Sequence, residues 1–254
     1  MPNPTLANGG FSPISTHETT TDPKGLRVGM RGFIDDRVFY FARLVDTTAI
    51  GAFKLAQACP PTAAHVAETG ALTGTTTVGS QRVTITLGAT AAHANMYENG
   101  YLSIQSATTG AGQSLRLKKH AAVASSGVLT ADLWEPVVTA TSGTTTWSLV
   151  QNPWADIVIQ PTTITAPCIG VPQCDWAAAT TTAPIYGWVQ TWGYSRVLID
   201  TSAFVAGSSF IPGGATAGAA GVAVETDIKQ RVGVAMEALG TDNIYAGAFL
   251  MIAP

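Results

Sequence analysis

The chain has 254 residues, enough to bury a substantial core in one large or two smaller domains. Charged residues make up only 11% of it, against about 25% in ordinary soluble domains, and the net charge of −3 excludes a general electrostatic attraction to nucleic acid. No stretch approaches the roughly 20 apolar residues that span a bilayer, so we expect no membrane partner.

The residue balance favours strands over helices. The chain contains 35 threonines but only 5 lysines. Threonine is β-branched and suits pleated strands, whereas lysine suits exposed helices. We therefore predict an all-β protein with antiparallel sandwich-like or barrel-like domains, an extended N-terminal arm and little helix. The scarcity of charge further predicts that much of the outside is covered in an assembly.

Residues 1–27 are predicted to form the extended arm, because prolines and glycines recur too densely for a helix or a long ladder. Phe11 and Ile14 are isolated apolar residues within it. Either they lie on their own domain or in a disordered segment, or the arm crosses a neighbouring subunit and they anchor it there. The low charge favours the second alternative. The first residues lack a basic start and an apolar run, so we expect cytoplasmic synthesis without a cleavable signal.

An N-terminal β domain is predicted for residues 28–155. Short strands separated by turn residues are typical of a sandwich or barrel; they are predicted at 37–45, 83–87, 101–105, 114–118, 127–133 and 146–150. Asp35-Asp36 suits a turn, and the strands at 101–105 and 114–118 suit a hairpin. Residues 47–58 fit either a short helix or a turn followed by a strand, and residues 91–97 fit one or two helical turns.

A C-terminal β domain is predicted for residues 156–254, after the composition changes around Asn152-Pro153-Trp154. Its most distinctive strand is Tyr186–Gly193. At the two-residue period of a strand, Tyr186, Trp188, Gln190 and Trp192 share one bulky face. The opposite face is nearly bare, so we expect another surface to approach it closely.

Two further segments of this domain have clear patterns. Residues 231–237 and 244–252 predict a hairpin whose very apolar last strand is central in a sheet or covered by a partner. Gly207–Gly221 is rich in glycine but has no lysine and no clear helix behind it, so it fails as a phosphate-binding loop. It is predicted to be a long flexible connection.

The residues that usually carry chemistry are scattered. The four histidines have no metal-type partner at close spacing, and the neighbouring carboxylates of Asp35 and Asp36 would point to opposite faces of a strand. Cys168 and Cys174 either form one disulfide or remain reduced, partly buried thiols. A basic cluster, residues 116–120, is interpreted as a solvated strand end. We therefore predict no enzymatic activity, no metal and no cofactor.

The six tryptophans leave two interpretations open. Their faces could stack on sugar rings, or they could pack in the core and at subunit interfaces, where aromatic residues are common. Few acidic or amide residues accompany them to hold sugar hydroxyls. We therefore favour packing, with Tyr186, Trp188 and Trp192 as the candidate core or interface aromatics.

Several segments resemble structural proteins of tailed bacteriophages, specifically head decoration (cement) proteins. The segments are Val83–Ala92, Asn99–Gln105, Gly110–Gln113, Leu133–Pro136, Asn152-Pro153, Tyr186–Gly193 and Arg231–Ala235. They cover most of the chain from about residue 75 onward. The chain departs from the family pattern at Tyr194, where family members often have proline, and residues 1–30 match no part of the pattern.

The resemblance implies a β-rich, non-enzymatic virion protein, a homotrimer on the outer surface of an icosahedral head. There it would bridge subunits of the phage major capsid protein and stabilise the shell. Phe11 and Ile14 are the candidate contacts with the capsid or a neighbouring copy. The alternative function is that of a receptor- or glycan-binding head fibre or tail spike subunit.

Overall fold

The computed structural model describes residues 17–18, 26–70, 77–141, 145–200, 203–224, 226–227, 229–238 and 243–253. Strands make up 45% of the structure and helix 1%, which confirms the all-β prediction. The described helix is one 3₁₀ turn, Ala63–His65. The strands are β1 (His17–Glu18), β2 (Arg31–Ile34), β3 (Arg37–Leu44), β4 (Ala56–Gln57), β5 (Glu68–Gly70), β6 (Arg82–Thr86), β7 (Tyr101–Ser106), β8 (Ser114–His120), β9 (Val128–Leu133), β10 (Thr145–Val150), β11 (Val158–Ile159), β12 (Cys168–Pro172), β13 (Ile185–Ile199), β14 (Ser209–Pro212), β15 (Ala220–Val222), β16 (Gly233–Ala235) and β17 (Ile244–Met251).

The chain divides into two compact units. The discontinuous unit comprises Met1–Cys59 and Pro153–Pro254, and the inserted unit comprises Pro60–Asn152. The predicted division into 28–155 and 156–254 differs from this one, although its boundary lies close to the observed return at 152/153. Residues 28–59 pack with the C-terminal part of the chain because β3 forms a long antiparallel ladder with β13. This pairing joins strands far apart in sequence, which composition does not reveal.

A closed barrel of five strands forms one part of the discontinuous unit. The second half of β13 pairs with β17, from Trp192↔Met251 to Ile199↔Ile244. The circuit continues through β16, β14 and β15 and returns to β13. The predicted C-terminal hairpin is confirmed as β16 and β17, with β17 in the interior of the sheet. Inward side chains fill the barrel, among them Val197, Ile199, Phe210, Ala246, Ala248 and Leu250.

The glycine-rich segment 207–221 is part of this barrel, so its prediction as a flexible connection was wrong. It contains β14 and the start of β15, which pair with each other. The turn between them includes Gly213 at φ +91° and Gly218 at φ +79°. L-residues rarely adopt such angles, so glycine here shapes a tight connection between strands.

The first half of β13 pairs with β3 on one side and with short segments on the other. β1 pairs with it through His17↔Tyr186 and Glu18↔Ile185. The described end of the predicted arm therefore adds a strand to its own chain. The predicted turn at Asp35-Asp36 is confirmed between β2 and β3, with Asp35 at φ +52°.

The inserted unit is a six-stranded antiparallel sheet in the order β5-β10-β7-β8-β9-β6. The predicted hairpin of β7 and β8 is confirmed. Buried apolar side chains from alternate strand positions form its core, including Ile85, Leu102, Leu117, Leu129 and Trp147. Residues 94–99 form turns, so the predicted helical turns at 91–97 are absent. In the other unit, residues 47–58 adopt the turn-plus-strand alternative, ending in β4.

Candidate functional site

Two of the three predicted aromatic site residues lie in the core. Tyr186 and Trp188 are 3% and 1% exposed and pack with Phe39 and Phe41 of β3. The Trp188 ring meets the Phe41 ring edge to face, with centroids 5.2 Å apart. These side chains therefore stabilise the discontinuous unit and are not available to a partner.

The bare side of β13 receives another surface, as predicted. A Cβ built on Gly187 would lie 2.5 Å from the indole ring of Trp176, which real Cβ atoms do not approach so closely. Trp176 is itself 1% exposed and packs with Val189 on this side of the sheet. Glycine at position 187 therefore allows the indole to lie directly on the strand.

Trp192 does not share the face of Tyr186 and Trp188. The pairing of β13 with β3 shifts by one residue between Gln190 and Trp192, so Trp192 pairs with Val38 while Trp188 pairs with Phe41. Val38 and Phe41 are three positions apart and lie on opposite faces of β3. This β-bulge reverses the alternation, and the strict two-residue prediction failed for that reason.

Beyond the bulge, an aromatic surface covers the outside of the barrel on β13 and β17. We call it the barrel face, and it consists of Trp192, Tyr194, Tyr245, Phe249 and Met251. Tyr194, Tyr245 and Met251 are 46%, 44% and 42% exposed, and the other two are half-buried. The register pairs Trp192 with Met251 and Tyr194 with Phe249. The barrel interior is filled without these side chains, so they can contact a partner.

The barrel face has little charge. Arg196 lies within the face, between the positions of Tyr194 and Tyr245, and forms an exposed ion pair there, with its Nη1 3.3 Å from Glu237 Oε1. Glu237 also accepts a hydrogen bond from the Gly247 amide at 2.5 Å. A Cβ on Gly247 would lie 2.8 Å from the Tyr194 hydroxyl, so the glycine lets that ring lie against β17. Tyr194 was not among the predicted site residues, because the bulge that places it on the outside of the barrel is not visible in the sequence.

The described residues show no metal-binding constellation. No group of three or more His, Cys, Asp or Glu side chains converges among them. Cys168 and Cys174 are not bridged, so the disulfide alternative is not realised. Burial raises the pKa of the Cys168 thiol to about 12 and that of Cys59 to about 11. Neither thiol supplies a thiolate nucleophile at neutral pH.

Two buried histidines of the inserted unit hold a tyrosine between them. His65 Nε2 donates to the Thr90 carbonyl at 2.9 Å, so its Nδ1 accepts from the Tyr97 hydroxyl. His120 Nδ1 donates to the Ala121 carbonyl at 2.8 Å, so its Nε2 accepts from the Tyr97 amide at 3.1 Å. Each ring therefore uses one nitrogen as a hydrogen-bond donor and the other as an acceptor, as in a neutral imidazole.

We expect acid to destabilise the inserted unit through His120. Burial holds the pKa of His120 below its ordinary value of about 6.5. The contribution of His120 to stability is therefore complete above about pH 6.5 and declines as the pH falls below this value. The reason is that the unfolded chain then binds a proton that the folded chain does not bind. Because a single proton is involved, the slope cannot exceed about 1.4 kcal/mol per pH unit.

Urea unfolding measured from about pH 7.5 to about pH 5.5 would test this expectation. His120→Gln should flatten the pH dependence of the unfolding free energy, whereas His93→Gln should flatten it only slightly, because the His93 charge makes the smallest contribution to the lowered pKa of His120. An equal slope in the wild-type and His120→Gln proteins would refute the assignment.

Phe11 and Ile14 lie outside the described residues. Among the described residues, no helix is long and apolar enough to cross a bilayer. Searches of protein-family models, curated proteins and solved structures find no match to this chain.

Proposed function

We propose that this protein is a structural subunit of a bacteriophage virion. It decorates the outer surface of the icosahedral head as a homotrimer and stabilises the shell by bridging subunits of the major capsid protein. It is made in the host cytoplasm, acts without enzymatic activity or cofactor, and needs no nucleic acid or membrane partner. The proposal combines the resemblance in sequence with the barrel face, the observation on which it chiefly depends.

The barrel face supports a structural role because its exposed side chains are the kind that dominate protein interfaces. Aromatic residues and methionine are enriched at interface cores, where charged residues are depleted. Tyr194 and Tyr245 also keep a hydroxyl for hydrogen bonds at the interface. In an assembly, such a surface is covered by a partner. A protein that binds the assembled shell but not its separate subunits stabilises the shell by mass action.

The alternative of a sugar-binding fibre that uses outward tryptophans has less support. Trp147, Trp176 and Trp188 are each 1% exposed, and Trp154 and Trp192 are half-buried. The most exposed is Trp134, at 36%. One exposed indole does not form the extended platform that this alternative requires.

The Tyr194→Ser/Met251→Ser double variant tests the barrel face. We expect the wild-type protein to show the mass of three chains by light scattering and the variant to dissociate into single chains. Val138→Ser is the control, since Val138 is 77% exposed in the inserted unit and should leave the mass unchanged. A cooperative thermal unfolding transition of the single chains would show that the fold is retained, and an unchanged trimer would reject this interface.

Heads of the parent phage purified without this protein test the capsid role. Added protein should occupy the shell in a cryo-electron microscopy map and raise the temperature at which heads release DNA. A chain lacking residues 1–16 keeps β1 and isolates the contribution of Phe11 and Ile14, and its occupancy should be lower. Absence of full-length protein from the shell would contradict the proposed function.

A further inference from the structure

The basic cluster of the inserted unit is shaped by a second β-bulge. The pairing of β8 with β9 shifts between Leu117 and Lys119, leaving Lys118 as the extra residue. As a result Lys118 and Lys119, although consecutive, are both exposed and line the same cavity. In a regular strand they would point to opposite faces. Bulges re-aim side chains in this way next to functional sites.

The two lysines lie in a groove across β8, β9 and β6, where Lys118 lines one cavity and Lys119 lines two. It consists of two adjoining cavities of about 380 Å³ and 360 Å³. Both cavities are lined by Arg82, Lys119 and Asp132. The lining also includes polar side chains that donate or accept hydrogen bonds, namely Gln81, Asn95 and Thr130, together with Leu133, His120 and Ala121. Each cavity is of the size that holds a small molecule or one unit of a polymer.

The groove carries an excess of positive charge. The inserted unit has four lysines and arginines in all, and three of them line the groove: Arg82, Lys118 and Lys119. Asp132 is the one lining carboxylate. It lies 2.9 Å from Arg82 Nη2 and 3.6 Å from Lys119 Nζ, so a single negative charge is shared between two cations. A ligand that carries negative charge would balance the remaining positive charge of the groove.

Two aromatic rings lie near the charged groove, outside the lining of its two cavities. The ammonium of Lys118 lies 5.0 Å from the centre of the Trp134 ring. Arg116, the fourth cation, lies opposite Tyr101 in the ladder, and its carbonyl accepts a hydrogen bond from the Trp134 amide. Tyr101 is 43% exposed. Exposed rings beside cations and hydrogen-bonding groups suit the apolar faces and the hydroxyls of sugar rings.

We propose that this groove binds an acidic polysaccharide. Carboxylate or sulfate groups would pair with Lys118, Lys119 and Arg82, and sugar hydroxyls would bond to the neutral side chains of the lining. An acidic peptide is disfavoured because β8 and β9 are interior strands whose backbones already pair on both sides. A peptide strand could not add to them there. The inference does not depend on the proposed virion role.

Isothermal titration with oligogalacturonate at low salt tests the inference. We expect binding that weakens as salt rises, since the contacts are ionic. The Lys118→Gln/Lys119→Gln variant should bind at least about tenfold more weakly. Lys229→Gln, which removes an exposed lysine of the discontinuous unit, should bind like the wild type. Circular dichroism and thermal unfolding would verify that both variants remain folded.

Neutral dextran, oligothymidylate and oligoglutamate of matched length complete the experiment. The inference predicts no binding of dextran and weaker binding of the other two than of oligogalacturonate. It would be overturned by equal binding of dextran, by preference for either of the other polyanions, by no binding of oligogalacturonate, or by unchanged affinity in the double lysine variant.

Discussion

Replacing Trp188 with alanine should lower the free energy of unfolding of the discontinuous unit by about 3–5 kcal/mol. Trp188 is 1% exposed and, among the described residues, belongs to a buried cluster with Phe39, Phe41 and Tyr186. Removing the indole leaves a cavity that two paired strands cannot readily close. Trp188→Phe, which keeps a ring against Phe41, should cost less.

Urea unfolding followed by far-ultraviolet circular dichroism would measure this loss. The comparison is Trp134→Ala in the inserted unit, the same truncation at an indole that is 36% exposed, for which we expect a smaller loss. Equal losses at the two positions would show that burial in this cluster does not set the stability of the unit.

Replacing Asp156 with asparagine is expected to cost about 3–5 kcal/mol, because it leaves a buried guanidinium without its counter-charge. Arg43 Nε donates to Asp156 Oδ1 at 2.8 Å, and Nη2 lies 2.6 Å from the same oxygen. The side chains are 13% and 4% exposed. Asparagine tolerates the φ of +54° at this position, so the change removes charge without straining the backbone.

The control is Asp132→Asn, which removes the same charge from the exposed pair with Arg82. Their side chains are 26% and 66% exposed, and solvent screens such a pair, so we expect a much smaller loss than at Asp156. Denaturant midpoints of the two variants measured at neutral pH would compare the pairs. A larger loss at Asp132 than at Asp156 would contradict the role assigned to the buried pair.

Much of the fold follows from local sequence patterns. The threonine-rich composition predicts strands, and alternation locates β3, β6 and the β7–β8 hairpin correctly. Local patterns do not predict which distant strands pair with each other. The ladder of β3 with β13 depends on side-chain fit across the core, and so the sequence places residues 28–59 in the N-terminal domain instead of with the C-terminal strands. The glycine-rich segment misleads for a related reason, because glycine serves both mobile loops and tight barrel turns.

The two candidate surfaces are harder to predict because each depends on a bulge. One bulge takes Trp192 away from the face of Trp188, and the other brings Lys118 and Lys119 to the same face. A strict two-residue period gives the opposite answer in both places. A bulge is one extra residue within a ladder, and its position depends on the partner strand as well as on the bulged strand.

Because one unit is inserted within the other, the two units can complete their folding only in a fixed order during translation. β3 leaves the ribosome long before β13, so its hydrogen-bonding edge must wait while residues 60–152 are translated. Those residues form a contiguous unit that holds all its own partners and can fold during this interval. The discontinuous unit closes only when the C-terminal strands emerge. Nascent chains therefore expose the edge of β3 until β13 has been translated. A chaperone that shields extended apolar segments would raise the yield of folded protein.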